Sequence, residues 1–140
     1  NKSTAGYAGG FAVSQFGSNP FLKLINTIFA DNTAASGDPN VSSSFADAAS
    51  AVEAQSFNNL FANGTAAIGV NSQCFEDSGA GWFLGADFGD YHLSSVSPAI
   101  SSGYVYEGLG VDLDGVAFSS ETPSVGCYEY NSAGFMLLLR

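Results

Sequence analysis

Ten residues early in the chain recur 32 positions later, and that spacing limits the available folds more than any other feature. Asn26-Thr27-Ile28-Phe29-Ala30-Asp31-Asn32-Thr33-Ala34-Ala35 aligns with Asn58-Asn59-Leu60-Phe61-Ala62-Asn63-Gly64-Thr65-Ala66-Ala67, with six positions identical and two more closely related. A repeat at this spacing predicts stacked supersecondary units rather than a one-off globular core. Within each copy Ile28 or Leu60 stands two residues from Ala30 or Ala62, the spacing of one strand face. Asn26 or Asn58 occupies the entering turn, where an amide can pair with the backbone and with the asparagine stacked beside it. The same residues also fit the starts of two similar amphipathic helices.

Around the repeat, glycine and proline divide the chain into short pieces. Gly6–Ser14 reads as a glycine turn entering a short strand, and Gly17-Ser18-Asn19-Pro20 turns into Phe21–Ile25, whose alternation fits a half-buried strand. A loop follows at Ala35–Asn40. The spacing of Phe45, Ala48, Ala49 and Val52 predicts a short helix near 44–56, which would account for the length of the repeat. Beyond Ala66 the helical signal is gone. Ala67-Ile68-Gly69-Val70 and Gly81-Trp82-Phe83-Leu84-Gly85 are short apolar runs between glycines, as in buried strands. Phe135–Leu139 is an apolar strand that would cover a last layer or meet another part of a larger assembly.

Composition excludes some partners. Thirteen acidic residues oppose Lys2, Lys23 and Arg140, a formal net charge of −10, so a phosphate backbone would be repelled and nucleic acid is not an expected partner. No apolar run reaches the roughly 20 residues of a membrane span. The Asn1-Lys2-Ser3 start lacks a signal-peptide pattern, so a secreted form would already have lost its leader. Only 11 % of residues are charged, and sequons stand at Asn1, Asn40 and Asn63, which agrees with an extracellular or cell-surface setting. Cys74 and Cys127 are the only cysteines. Joined, they would close a long loop, which the chain-entropy model values at roughly 4 kcal/mol; unjoined, they would be buried thiols.

The densest set of motifs lies between Asp90 and Tyr130: Asp90-Tyr91-His92-Leu93, Ser97-Pro98-Ala99-Ile100, Gly103, Asp112-Leu113-Asp114-Gly115 and Gly126-Cys127-Tyr128-Glu129-Tyr130. Their order resembles the last turns of right-handed parallel β-helix proteins, the pectate-lyase-like solenoids of secreted and surface-anchored bacterial proteins, which run "DYHL…SPAID-G…D-DG…GAYEY". The likeness is strong over Asp90–Tyr130 and loose from Gly9 to Phe75. It implies an all-β, right-handed parallel β-helix segment, with 1–70 as repeat rungs and 71–140 as last rungs and cap, Tyr128 and Tyr130 sharing one face of a final strand. Two departures from the family, Cys127 where alanine is common and Cys74 where proline is common, fall on elements the resemblance makes neighbours. A Cys74–Cys127 disulfide is therefore expected. The family's arginine after the Asp114-Gly115 turn is absent, with Phe118-Ser119-Ser120 in its place.

Little catalytic chemistry follows. His92, the only histidine, reads as a satisfied core or edge residue, with Asp90 and Asp87 as candidate partners, and no Ser-His-Asp set can be argued around it. Glu76, Asp77, Asp87 and Asp90 make one acidic group, and Asp112 with Asp114 another. Oxygen ligands of this kind suit calcium, without EF-hand spacing, and solvated acids at turns are the alternative. Polysaccharide lyase chemistry, which the resemblance implies first, needs a strong base and positive charge to hold a uronate. Lys23 is the sole interior base, and the net charge opposes a polyuronate. An inverting hydrolase would need carboxylates roughly 6.5–9.5 Å apart, for which Asp31 and Asp38 are the weak candidates.

The expectation is thus a secreted or surface structural and adhesive module without catalytic residues. Ser, Asn and Thr with Tyr and Trp82 would contact glycans by hydrogen bonds and ring stacking. Extracellular polysaccharide or copies of the chain itself are the expected partners. The C-terminal part of a polysaccharide-degrading enzyme, and a self-assembling pilus-like fibre subunit, are the alternatives.

Overall fold

A computed structural model of the chain describes residues 2–3, 11–13, 23–35, 40–43, 56–64 and 67–132. The strands are β1 (Lys2–Ser3), β2 (Phe11–Val13), β3 (Ile28–Phe29), β4 (Thr33–Ala34), β5 (Val41–Ser43), β6 (Leu60–Ala62), β7 (Gln73–Phe75), β8 (Phe83–Gly85) and β9 (Asp90–Leu93). Single 3₁₀ turns at Ala80–Trp82 and Ala86–Phe88 flank β8. The largest sheet runs β3-β6-β7, all parallel, and β1 pairs with β4 and β2 with β5, also parallel. β8 and β9 are antiparallel.

The repeat pairs with itself. Ile28 lies opposite Leu60 and Phe29 opposite Phe61, so the two copies are neighbouring strands in register. Both copies are bracketed by left-handed residues: Asn26 and Asp31 around the first, Asn58 and Asn63 around the second, each with φ 51°. Asparagine and aspartate are the non-glycine residues that enter this region at least cost. Two sharp turns so close together leave room for only two or three residues of strand. Asn71, at φ 58°, enters β7 with the same two-residue offset, making a third strand of the same kind.

Side chains one position after those turns tie the ladder together. The amide oxygen of Asn59 accepts from the backbone N–H of Thr27 at 3.0 Å, and the hydroxyl of Ser72 accepts from the N–H of Asn59 at 2.9 Å. Asn59 also donates to the carbonyls of Leu24 at 2.9 Å and Ile68 at 3.2 Å. Every polar atom of its buried side chain is thereby used, as burial requires. On the opposite edge of the repeat, buried Asn40 accepts from Asn32 and donates to the carbonyl of Ala62 at 2.7 Å.

Leu60 and Ala62 of β6 form a core with Trp82, Leu93, Ala99 and Val125, flanked by Ile28, Phe75 and Tyr130. The alanines of the repeat are small for a reason visible here. A Cβ on Gly79 would stand 2.7 Å from the Cβ of Ala30 and 2.8 Å from that of Ala62, and Gly79 has φ 77°. The loop carrying Trp82 thus crosses the sheet in direct contact, and only glycine beside alanine permits it.

Several expectations are corrected. The described strands form four small sheets, none closed or curled, and no parallel β-helix solenoid is seen among the described residues. After β7 the parallel pairing gives way to the β8–β9 hairpin, and beyond Leu93 the described chain is turns and loops with one isolated antiparallel bridge, Val111 to Ala117. Tyr128 and Tyr130 accordingly lie on no final strand; Tyr130 packs on the core and Tyr128 on His92. No disulfide joins Cys74 and Cys127, which are both exposed. Cys74 sits on β7, whereas Cys127 follows Gly126, whose N–H bonds the carbonyl of Asn26 beside β3. β6 stands between β7 and β3, so the two cysteines are set against different strands of the sheet. Phe135–Leu139, Asp38 and all but the last residue of the 44–56 helix lie outside the described residues. No helix among the described residues is long and apolar enough to cross a membrane.

Candidate functional site

The β8–β9 hairpin projects from the core, anchored at its base by buried Trp82, which is 4 % exposed and meets Phe75 edge-on at 5.0 Å. That burial removes Trp82 from the surface, where the sequence had suggested a glycan contact. Tyr91 and Leu93, two residues apart, share one face of β9: Leu93 enters the core while Tyr91, nearer the hairpin's tip, is 49 % exposed. Phe83 braces the Tyr91 ring edge-to-face at 5.7 Å, holding it upright.

Tyr91, Phe83 and Ala30 line two clefts in common. The larger, about 390 Å³, runs over Thr27, Ile28 and Leu93 to a wall made by Gly126 and Cys127. The second, about 360 Å³, is bounded by Asp31, Asp87, Leu84 and Phe88 and has the more polar rim. Both volumes fall at the lower end of the range for small-ligand sites, roughly 300–1,000 Å³. Phe88, 94 % exposed, extends the aromatic surface beyond the second cleft.

The wall of the larger cleft is held by polar contacts. Gly126, at φ 110°, lies against Ile28, where an added Cβ would come within 3.1 Å of Cδ1. Asn26 grips the preceding loop through both ends of its amide, donating to the carbonyl of Tyr104 and accepting from its N–H. Asp112 organises the rest. Its Oδ1 accepts from the N–H groups of Asp114 and Val116, and its Oδ2 from that of Glu129. Asp112 is only 8 % exposed. Burial pushes its carboxyl up, but the N–H groups of Glu129, Val116 and Asp114 together outweigh burial and hold it below the ordinary carboxylate value.

Beside Tyr91, His92 links three segments. Its Nδ1 lies 2.6 Å from Asp90 Oδ1 and its Nε2 2.7 Å from Asp114 Oδ2, and its ring stacks on Tyr128 at 4.0 Å. The Asp114 contact, then the Asp90 contact, raises the imidazole above its ordinary value, and the His92 contacts in turn lower Asp90. With both ring nitrogens bound to carboxylates, His92 has no free position from which to act as a general base.

The two acidic groups read from sequence are therefore regrouped. Asp90 joins Asp114 through His92, Asp112 serves backbone donors, and Asp77 accepts from the N–H of Gly79 in its own turn. Asp87 lies at the second cleft rather than beside His92. No group of three His, Cys, Asp or Glu side chains able to hold a metal occurs among the described residues. Lys23 is exposed and lines neither cleft beside Tyr91. Sequence reasoning missed the Tyr91 clefts; the available signal was Tyr91 two residues from an apolar Leu93 with Phe83 in the preceding strand. No family model, curated protein or solved structure matches this chain.

Proposed function

We propose that the chain is an extracellular structural and adhesive module that holds a neutral glycan along the Tyr91 clefts. The observation carrying this reading is the braced, half-exposed Tyr91 ring that lines two open clefts. A sugar presents C–H faces that stack on an aromatic ring and hydroxyls that need acceptors at the ring's edge. Tyr91 supplies the first, and the carboxylates of Asp31 and Asp87 supply the second. The net charge of −10 opposes a uronate chain and leaves neutral polysaccharide as the favoured class.

Affinity electrophoresis through gels containing neutral or uronate polysaccharides tests the proposal. Retardation by at least one neutral polysaccharide, weakened about three- to tenfold in Tyr91→Ala, is expected. Retardation by uronates alone, or equal retardation of wild type and Tyr91→Ala, would overturn it.

A further inference from the structure

We propose that His92 is a pH-operated clasp: its doubly protonated ring fastens the Asp112–Tyr128 region to the β8–β9 hairpin, and loss of one ring proton loosens that connection. The geometry alone sets this requirement. Two ring nitrogens each face a carboxylate oxygen, at 2.6 Å and 2.7 Å, and carboxylates only accept. A neutral imidazole has one N–H, so one nitrogen lone pair would then point at Asp90 or Asp114 within hydrogen-bond distance. Only the imidazolium donates to both.

The groups facing His92 come from each packed element: Asp90 from its own strand, Asp114 and the nearby Asp112 from the turn, and Tyr128 from the C-terminal segment. Three are carboxylates and the fourth offers a ring face, an arrangement that favours a cation. Lysines and arginines number only three against 13 acids, so competing cations are scarce. The sign follows from both partners. A raised histidine contributes stability that is complete below about pH 6.5 and is lost as pH rises through its folded value. Lowered Asp90 keeps its contribution above the ordinary carboxylate range and loses it as pH falls through its own depressed value. The clasp is closed in mildly acidic solution and opens by releasing one proton to solvent as pH rises through the raised folded value of His92. Tyr128 adjoins Cys127, which walls the larger cleft, so opening acts on that wall whatever occupies the cleft.

His92 is the only histidine, so its ring gives a single set of ¹H–¹³C and ¹⁵N resonances in the full chain. Titration by NMR is expected to show a midpoint above the free-histidine value, with the amides of Asp114 and Tyr128 shifting at the same midpoint. In His92→Gln those pH-dependent amide shifts disappear, and in Asp114→Asn the histidine midpoint falls while the ring remains observable. A wild-type midpoint at or below the free-histidine value, amides that ignore it, or an unchanged midpoint in Asp114→Asn would overturn the clasp.

Discussion

Replacing Asn59 with alanine removes the side chain that ties the central strand to both neighbours. The substitution deletes one bond accepted from Thr27 and two donated to Leu24 and Ile68. The carbonyl of Leu24 keeps the N–H of Phe57 as a partner, so its loss is the mildest. Thr27 N–H has no such second acceptor at the site, and an unsatisfied donor at this half-buried position costs about 1–3 kcal/mol. Adding about 1 kcal/mol for each donated bond gives about 3–5 kcal/mol in all. Thr27 occupies the same repeat position on the outer strand, and its hydroxyl makes one local bond to the carbonyl of Ile25. Thr27→Ala is therefore expected to cost less than about 1 kcal/mol. Urea unfolding separates the two. With a slope of about 1.5–2 kcal/mol/M, Asn59→Ala moves the midpoint down by about 2 M and Thr27→Ala by less than about 0.7 M. Equal midpoints for the two variants would refute the argument that the central strand's amide holds the sheet.

Three further outcomes follow from the same structure. Gly79→Ala forces a methyl against Ala30 and Ala62 at positive φ and is expected to cost about 2–4 kcal/mol, with the emission of the single tryptophan, Trp82, shifting to the red. Asp112→Ala strands three N–H donors and is expected to cost about 2–4 kcal/mol near pH 6. Because the folded-state value of Asp112 is lowered, its contribution fades as pH falls through that value, so wild-type and variant urea midpoints converge in acid; a gap that widens instead contradicts the assignment. Thiol titration under unfolding conditions without reductant should count both cysteines, and reductant should leave the melting temperature unchanged, whereas a fall of several degrees would indicate a Cys74–Cys127 bond.

The parts of this fold legible in the sequence were those written in local residue chemistry. Asn26 and Asn58 at the entering turns, and the strand between each and its exit turn, follow from the left-handed tolerance of asparagine and the repeat itself. Asn71 begins a third such strand, yet Asn71-Ser72-Gln73-Cys74-Phe75 shares with Asn58-Asn59-Leu60-Phe61-Ala62 only the leading asparagine, so similarity could not find it. The solenoid expectation failed because resemblance of motifs does not fix how far parallel pairing continues: left-handed Gly79 and Gly89 turn the chain into an antiparallel hairpin after β7. For His92, Asp90 two residues away was foreseeable and Asp114, 22 residues away, was not, since the turn at Asp112 that presents it is built by tertiary contact. The burial of Trp82 agrees with the reading of Gly81–Gly85 as a buried apolar run and not with its assignment to a glycan-contacting surface.

The glycan reading is tested most directly by ¹⁵N NMR titration of the full chain with a neutral oligosaccharide taken from whichever polysaccharide retards it. The account predicts saturable shifts concentrated at Tyr91, Asp31, Asp87 and Gly126, and about three- to tenfold weaker binding in Tyr91→Ala, the worth of one aromatic stacking contact. Saturable shifts that map elsewhere and leave the Tyr91 clefts unmoved would contradict it.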